Sequence, residues 1–356
     1  MTAASPRSLL ELLDIAWPII QAPMAGTSTP AMAAAVSNAG GLGSIGVGAA
    51  SADAAGDMIA AMRERSARAL NVNVFCHRPA QADEAREAAW LDRLRPEFER
   101  VKAAPPAAMH EIYRSFLADE AMFRTLLAAR PKVVSFHFGV PSREWIRALR
   151  EAGIVLLGSA TNLREARLAV EAGVHAVVAQ GYEAGGHRGI YDPDGEDERL
   201  GTIALVRILA RALDVPVIAA GGIMDGAGIA AALRLGASAA QLGTAFVGTD
   251  ESAADAGYRA ALFSDAAHHT VMTRVISGRP ARCLANRFTA WGEAVSPADV
   301  PAYPIAYDAG KSLNVAAKAL RETGYGAQWA GQGAPLARAM TTEKLMGELI
   351  AELAAR

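Results

Sequence analysis

At 356 residues, with 52% hydrophobic and 20% charged side chains, the chain has the composition of a core-forming globular protein and excludes a disordered one. A formal net charge of −2, with no stripe of Lys and Arg interleaved with aromatics, excludes nucleic acid as the expected partner. The two cysteines, Cys76 and Cys283, stand far apart and in no metal-ligand spacing, which argues against a disulfide framework and fits a reducing cytoplasm.

Glu11 and Asp14 interrupt what would be the apolar stretch of a signal peptide. No uncharged apolar run reaches the roughly 18 residues of a membrane span. A soluble cytoplasmic protein without a membrane partner is expected. The first apolar run, 18–24 (PIIQAPM), reads as a strand. Beyond it Pro23 has no N–H, and Ala25 and Gly26 keep the wall low. That suits a planar ring pressed against backbone, and equally an ordinary strand-to-helix turn capped by Ser28 or Thr29 before Pro30.

Strand-like runs follow at 42–47 (LGSIGV) and 70–75 (LNVNVF). Asn71 and Asn73 share one face of the latter, because side chains alternate. Buried amides require partners, either on neighbouring strands or on the edge of a heterocycle. The stretch 78–130, charged, helix-like and broken by AAPPAA, is long for a single crossover. Strands resume at 133–138 (VVSFHF), 154–159 (IVLLGS) and 176–180 (AVVAQ). His137 in the first of these either points into a barrel mouth or is a satisfied core histidine. Residues 161–172 have apolar positions at helical spacing, with Thr161 or Asn162 as cap and Gly173 as stop.

The stretch AQGYEAGGHRG (179–189) leaves a strand at Gln180 and sheds its bulk before His187. A histidine on such a loop serves as a base near neutral pH or, protonated, as an anchor for an anion. Runs at 215–220 (VPVIAA) and 239–243 (AAQLG) bring the strands to eight, with a helix at 227–235 between them that stops at Gly236. None alternates cleanly with period two, which reads as burial on both faces. Eight strand-plus-helix units place the chain in the α/β class as a (β/α)8 TIM barrel. A doubly wound sheet is the alternative, but it normally uses fewer strands. The segment 251–324 is too long for a loop and holds His268, His269, Arg279, Trp291, Tyr303, Tyr307 and Lys311. It is expected to be a second, smaller helical domain covering the active-site mouth of a barrel formed by 1–250 and completed by 325–356.

In such barrels the loops after the last two strands commonly hold a phosphate. Gly221 and Gly222 end one of these strands, and Gly243 and Thr244 the other. Glycine lets backbone N–H groups approach an anion, and a hydroxyl adds a donor. The chain has no nucleophile elbow, no P-loop, no Rossmann glycine fingerprint and no metal-ligand spacing. A flat cofactor with a phosphate tail remains, and flavin mononucleotide (FMN) fits best.

Seven segments carry a further resemblance: IQAPMAGTSTPAMAAAVSNAGGLGSIG, NVNVFCHRP, VVSFHFG, VVAQGYEAGGHRG, PVIAAGGIMDGAGIAAALRLGASAAQLGTAF, YPIAYDAGKSLN and YGAQWAGQGAPLAR. With them the chain resembles class I of the nitronate monooxygenase family, formerly called 2-nitropropane dioxygenases, over nearly its whole length. The two late segments are the more specific to the class. The resemblance implies FMN at the barrel mouth, with Pro23 and Met24 along the isoalloxazine. It places Asn73, Gln180 and Gly185 at the ring and ribityl chain, and Gly222, Gln241, Leu242, Gly243 and Thr244 at the phosphate. It implies His187 as the catalytic residue beside the reactive face, and a substrate pocket closed by Tyr113, His137, Tyr258, Tyr303, Tyr307 and Lys311.

The activity so implied is oxidation of alkyl nitronates, above all propionate 3-nitronate, with dioxygen to a carbonyl compound plus nitrite and nitrate. It would run by one-electron transfer through an anionic flavosemiquinone. Lys311 and a protonated His187 would attract the anion; a neutral nitroalkane would first lose its α-proton to the histidine. Related barrels with similar early motifs are NAD(P)H-dependent flavin reductases of quinones or enoyl-acyl carrier protein. The late YPIAYDAGK stretch weighs against that reading. The polar residues aimed at one mouth weigh against a binding module without turnover. Partners are then a small anion and dioxygen, with the chain a monomer or homodimer.

Overall fold

Each apolar run expected to be a strand forms one in the computed structural model, which describes residues 8–356; residues 1–7, the start of the expected barrel span, lie outside the described residues. The strands are β1 (Ile19–Gln21), β2 (Gly43–Gly46), β3 (Leu70–Phe75), β4 (Val133–His137), β5 (Val155–Ala160), β6 (Ala176–Gln180), β7 (Gly186–His187), β8 (Val217–Ala220), β9 (Ala239–Leu242), β10 (Thr270–Thr273) and β11 (Ala281–Leu284). Eight of them pair in the order β1-β9-β8-β6-β5-β4-β3-β2, all parallel. A parallel bridge between Ile20 and Leu42 closes the ring, giving the (β/α)8 barrel. Strands such as β5 and β6 are buried along their whole length, which is why their sequences do not alternate.

Side-chain parity then sorts the interior. Val133, Val155, Leu157, Ala176, Val178 and Ile218 form an inner apolar cluster, with Leu9 and Leu13 of the helix Leu9–Leu13 packed into it. Further along the same inward faces come Asn73, Ser135, His137, Ser159, Gln180 and Gln241, which line a cavity at the carboxyl ends of the strands. The barrel is thus mainly apolar at its amino end, where Asn71 Nδ2 donates to Ser44 Oγ at 3.0 Å, and polar at its carboxyl end, where sites of this fold are built. The strands are shorter than the apolar runs, so Pro23 and Met24 fall in the loop after β1.

The flanking helices follow their local signals. Thr29 caps the helix Pro30–Asn38 and Asn162 caps the helix Leu163–Ala172, which Gly173 terminates. The helix Thr342–Ala354 packs against Pro30–Asn38 and Gly226–Arg234, completing the helical ring. Its Glu352 carboxylate accepts a hydrogen bond from Gly226 N–H at 2.8 Å. No helix among the described residues is long and apolar enough to cross a membrane.

The segment 251–324 has the expected helices, Ala256–Leu262, Arg287–Gly292 and Ile305–Ala319, and also an antiparallel hairpin of β10 and β11 that its sequence pattern did not announce. The hairpin joins the barrel, because β11 pairs with β7. A second apolar core unites Phe288, Leu313 and Tyr325 with Trp90, Leu94 and Phe98 of the helix Glu84–Arg100. Trp90 and Trp291 meet edge to face at 5.5 Å, and the Tyr325 hydroxyl donates to Glu97. The length of 78–130 is thereby explained: its amphipathic helix leaves the barrel wall to supply half of another core. Periodicity gives such a helix an apolar face but does not name the partner.

Candidate active site

The cavity at the carboxyl ends has a volume of about 710 Å³ and takes in Pro23, Met24, Asn73, Gln180, Gly185, Gly222, Gln241, Gly243 and Thr244, together with His187, Tyr113, His137, Tyr258, Tyr303, Tyr307 and Lys311. Its size suits a small-molecule or cofactor site of roughly 300–1,000 Å³. Leu242 is the exception among the expected residues. It is buried in the barrel core, because Gln241 takes the inward position and strand parity turns its neighbour outward.

One end of the cavity is made of backbone. A Cβ on Gly185 would lie 2.4 Å from Gly331 N and 2.6 Å from the Ala330 carbonyl carbon, so only glycine lets these two loops touch. Gly221 and Gly222 adopt φ of +120° and +72°, in the region that favours glycine. Thr244 Oγ accepts from Gly331 N–H at 2.9 Å, which leaves its own hydroxyl hydrogen free to donate. Nearby, Asn73 Nδ2 donates to Ser135 O at 3.1 Å and Ser135 Oγ at 2.9 Å, leaving Oδ1 for a ligand. Gln180 is tied at both ends of its amide: Nε2 donates to His187 O at 3.0 Å and Oε1 accepts from Gly189 N at 2.7 Å. It therefore shapes the loop and keeps one N–H to offer. An apolar wall at Pro23 and Met24, a few free amide atoms and a glycine-lined end fit a flat cofactor with an anionic tail.

The loop carrying His187 is fixed from several sides. Arg188, buried, makes a two-pronged ion pair with Asp197, both contacts at 2.9 Å, and donates to Gln180 O. Glu183 caps the helix Thr202–Ala212, accepting from Thr202 N–H at 2.9 Å. His187 itself pairs with Ala281 across β7 and β11, and its Nε2 lies 2.8 Å from Ser277 Oγ. His137 is at the mouth, yet both of its ring nitrogens are engaged by protein, Nδ1 with Ser159 Oγ at 2.8 Å and Nε2 with His187 O at 3.1 Å. It supports the backbone of His187.

The other end is aromatic. Around the His187 ring stand Trp329 at 5.0 Å, Tyr303 at 5.3 Å, Phe138 at 5.7 Å and Tyr307 at 6.2 Å. Lys311 Nζ lies over the rings of Tyr113 at 4.8 Å and Tyr307 at 5.3 Å. The Tyr303 hydroxyl is buried without a protein partner, whereas the Tyr258 hydroxyl is spent on the Trp329 carbonyl. Tyr258 thus lines the cavity while bracing the roof.

Burial governs the charge states. It pushes the His187 imidazole well below its usual range, and Arg279, His137 and His77 lower it further. His137 and His77 are each pushed down to about 4, in both cases mainly by burial. Without a substrate anion beside it, the His187 imidazole is thus biased towards its neutral form. Lys311 is lowered by partial burial but raised by Asp308, and among the described residues it makes no ion pair. Burial raises the hydroxyls of Tyr113 and Tyr303, and that of Tyr307 to about 12, so all three remain donors at neutral pH.

Sequence reasoning did not single out Phe138, Trp329 or Ser277. Trp329 sits in the quoted YGAQWAGQG segment, which was a usable signal, but Ser277 precedes a turn with no periodicity to mark it. His268 and His269, at the start of the hairpin, do not line the cavity.

Comparison with known proteins agrees with this geometry. The nitronate monooxygenase family profile matches residues 7–355. The chain is 60% identical over 347 residues to the nitronate monooxygenase of Paraburkholderia phytofirmans, covering 98% of this chain and 95% of that one. It is 54% identical over 344 residues to the nitronate monooxygenase of Pseudomonas aeruginosa, covering 96% and 97%. Among solved structures, nitroalkane oxidase from Streptomyces ansochromogenes superposes with a TM-score of 0.88 at 40% identity, over 98% of each chain. FabK from Thermotoga maritima superposes less closely, with a TM-score of 0.75 at 29% identity, over 99% and 97%.

Proposed function

The chain belongs to the nitronate monooxygenase family of flavin-dependent oxidoreductases, and on that premise we propose that it binds FMN and oxidises alkyl nitronates with dioxygen. The products are a carbonyl compound with nitrite and nitrate, and propionate 3-nitronate is the expected substrate. The observation that carries this reading is the convergence of Lys311, His187, Tyr113, Tyr303 and Tyr307 on one cavity whose opposite end is glycine backbone. We place the enzyme in the cytoplasm, as a monomer or homodimer, in a detoxifying role.

FMN would lie with its ring along Pro23 and Met24. Asn73 Oδ1, the free N–H of Gln180 and the backbone at Gly185 would meet the ring and ribityl chain. Gly222, Gln241, Gly243 and Thr244 would meet the phosphate, without the Leu242 side chain. Bound there, FMN supplies a one-electron acceptor that dioxygen reoxidises.

The chain's own residues do the rest. Lys311 provides the positive charge for the substrate anion, and the hydroxyls of Tyr113 and Tyr307 donate to its oxygens. Neutral His187 is ready to accept a proton. With a neutral nitroalkane it takes the α-proton from carbon. With a preformed nitronate it takes a proton from solvent as the anion binds, since a nearby negative charge favours the imidazolium. Phe138, Tyr303, Tyr307 and Trp329 surround the His187 ring, so the charge it takes on acts in a lower dielectric than water.

The test is an anaerobic titration of the yellow protein with propionate 3-nitronate, followed in the visible, beside a sample given NADH. A flavin spectrum altered by the nitronate and left alone by NADH is expected. Bleaching by NADH with no response to nitronate would overturn the reading in favour of an NAD(P)H-dependent flavin reductase.

A further inference from the structure

Two of the least accessible polar residues near the cavity do not line it. Ser277 is fully buried, and so is nearly all of Arg279, two residues further on. They belong to one turn, which leads into β11, the strand that holds His187 in register. The hydrogen bonds of this turn settle how the imidazole is presented.

The Ser277 hydroxyl has three neighbours. Arg279 N–H donates to it at 3.4 Å, it reaches Arg279 O at 3.4 Å, and His187 Nε2 lies at 2.8 Å. A hydroxyl has one hydrogen and two lone pairs. Arg279 N–H occupies one lone pair. Among the described residues, the Arg279 carbonyl receives a hydrogen bond only from Ser277. A buried carbonyl left unpaired loses its hydration with nothing in return. The serine hydrogen therefore goes to that carbonyl, and the second lone pair accepts from His187 Nε2–H. All three contacts are then satisfied at once. The opposite tautomer would need the serine hydrogen at Nε2 and would abandon the carbonyl. His187 Nδ1 has no hydrogen-bond partner in the protein and is not among the walled-off polar atoms.

We infer that Ser277 is the positioning residue of His187: its hydroxyl holds the Nε2–H tautomer and leaves Nδ1 as the nitrogen that meets the substrate's proton. The inference rests on the reading of His187 given above. Arg279 reinforces the arrangement. Its guanidinium lies 4.2 Å from the Phe138 ring centre and donates to the Ile190 carbonyl; among the described residues it has no acidic partner, and its Nε is left without an acceptor. A buried cation here disfavours a second positive charge on the ring that Phe138 touches edge-on.

Two measurements on the flavin-loaded protein test this. Nitrogen-15 NMR of the histidine rings, with His187→Asn for assignment, reads the tautomer directly and needs no turnover. Hydrogen on Nε2 in the wild type, and a mixture of tautomers in Ser277→Ala, is expected. Hydrogen on Nδ1 in the wild type would overturn the assignment. The second is a double-mutant cycle on kcat/KM, using nitroethane or its nitronate, whichever the wild type turns over faster. Ser277→Ala should lose about tenfold or more on its own and nothing further in the His187→Asn background. An equal loss in both backgrounds would show that Ser277 acts on the fold and not through His187. If the wild type turns over neither compound, the proposed function fails, while the tautomer measurement still decides the role of Ser277.

Discussion

The two ends of the cavity are made of different materials. At the end formed by Gly185, Gly221, Gly222, Gly243 and Gly331, the surface is main chain, and its shape follows from how closely backbones approach. At the other end the surface is side chain: Tyr113, Tyr303, Tyr307, Trp329 and Lys311 lean on one another and on His187. The difference is one of tolerance. A methyl added at Gly185 or Gly331 would run into backbone, while a side-chain roof is retuned one group at a time. The first suits a cofactor that never changes, and the second a substrate that must be selected.

The sharpest way to break this contrast is Gly185→Ala. The added methyl would meet the backbone of Gly331 and Ala330, neither of which can swing aside as a side chain does. The protein is expected to purify without flavin, read from its visible absorbance. Full flavin occupancy in this variant would show that the loop yields and that backbone contact does not define this end.

A milder test falls on the roof. Lys311→Met keeps length and removes charge. Flavin should stay bound while KM for an anionic nitronate rises roughly 10- to 100-fold, the size of a charge-assisted contact worth about 1.5–3 kcal/mol. Loss of flavin together with affinity would merge the two ends into one.

The smallest effect concerns acid. His77, both of whose ring nitrogens are buried without partners, titrates at about 4 in the folded protein against 6.5 for an ordinary histidine. His137 behaves alike, and His187 is lowered as well. Between these values the unfolded chain binds more protons than the folded one. The contribution is fully present above about 6.5 and is lost as pH falls towards 4. The melting temperature should therefore drop between pH 7 and pH 5, and less steeply in His77→Gln than in the wild type. Equal slopes would mean that the roof is wet enough for this imidazole to charge freely.

Much of the barrel was legible. Runs such as LNVNVF and AVVAQ are short, apolar and set between helical stretches, and each became a buried parallel strand. Gly221 and Gly222 after β8, with Gly243 and Thr244 after β9, pointed to the backbone-built end because two such glycine-bearing termini lie side by side in a barrel. The roof was less legible. Tyr303, Tyr307 and Lys311 were reached through resemblance, and Leu242 was carried along with its neighbours although strand parity turns it away.

By itself, then, the sequence determined what depends on neighbours along the chain: which runs extend, where helices start and stop, and which turns must be glycine. The tertiary structure decided what depends on residues far apart. It brought Trp90 to Trp291 in a second core, turned His187 towards the cavity, and set Ser277 against its Nε2 across 90 positions of chain. The physical reason is that strand pairing and desolvation are properties of a packed assembly. No local pattern states which buried cation will lie behind a histidine, or which hydroxyl will claim its hydrogen.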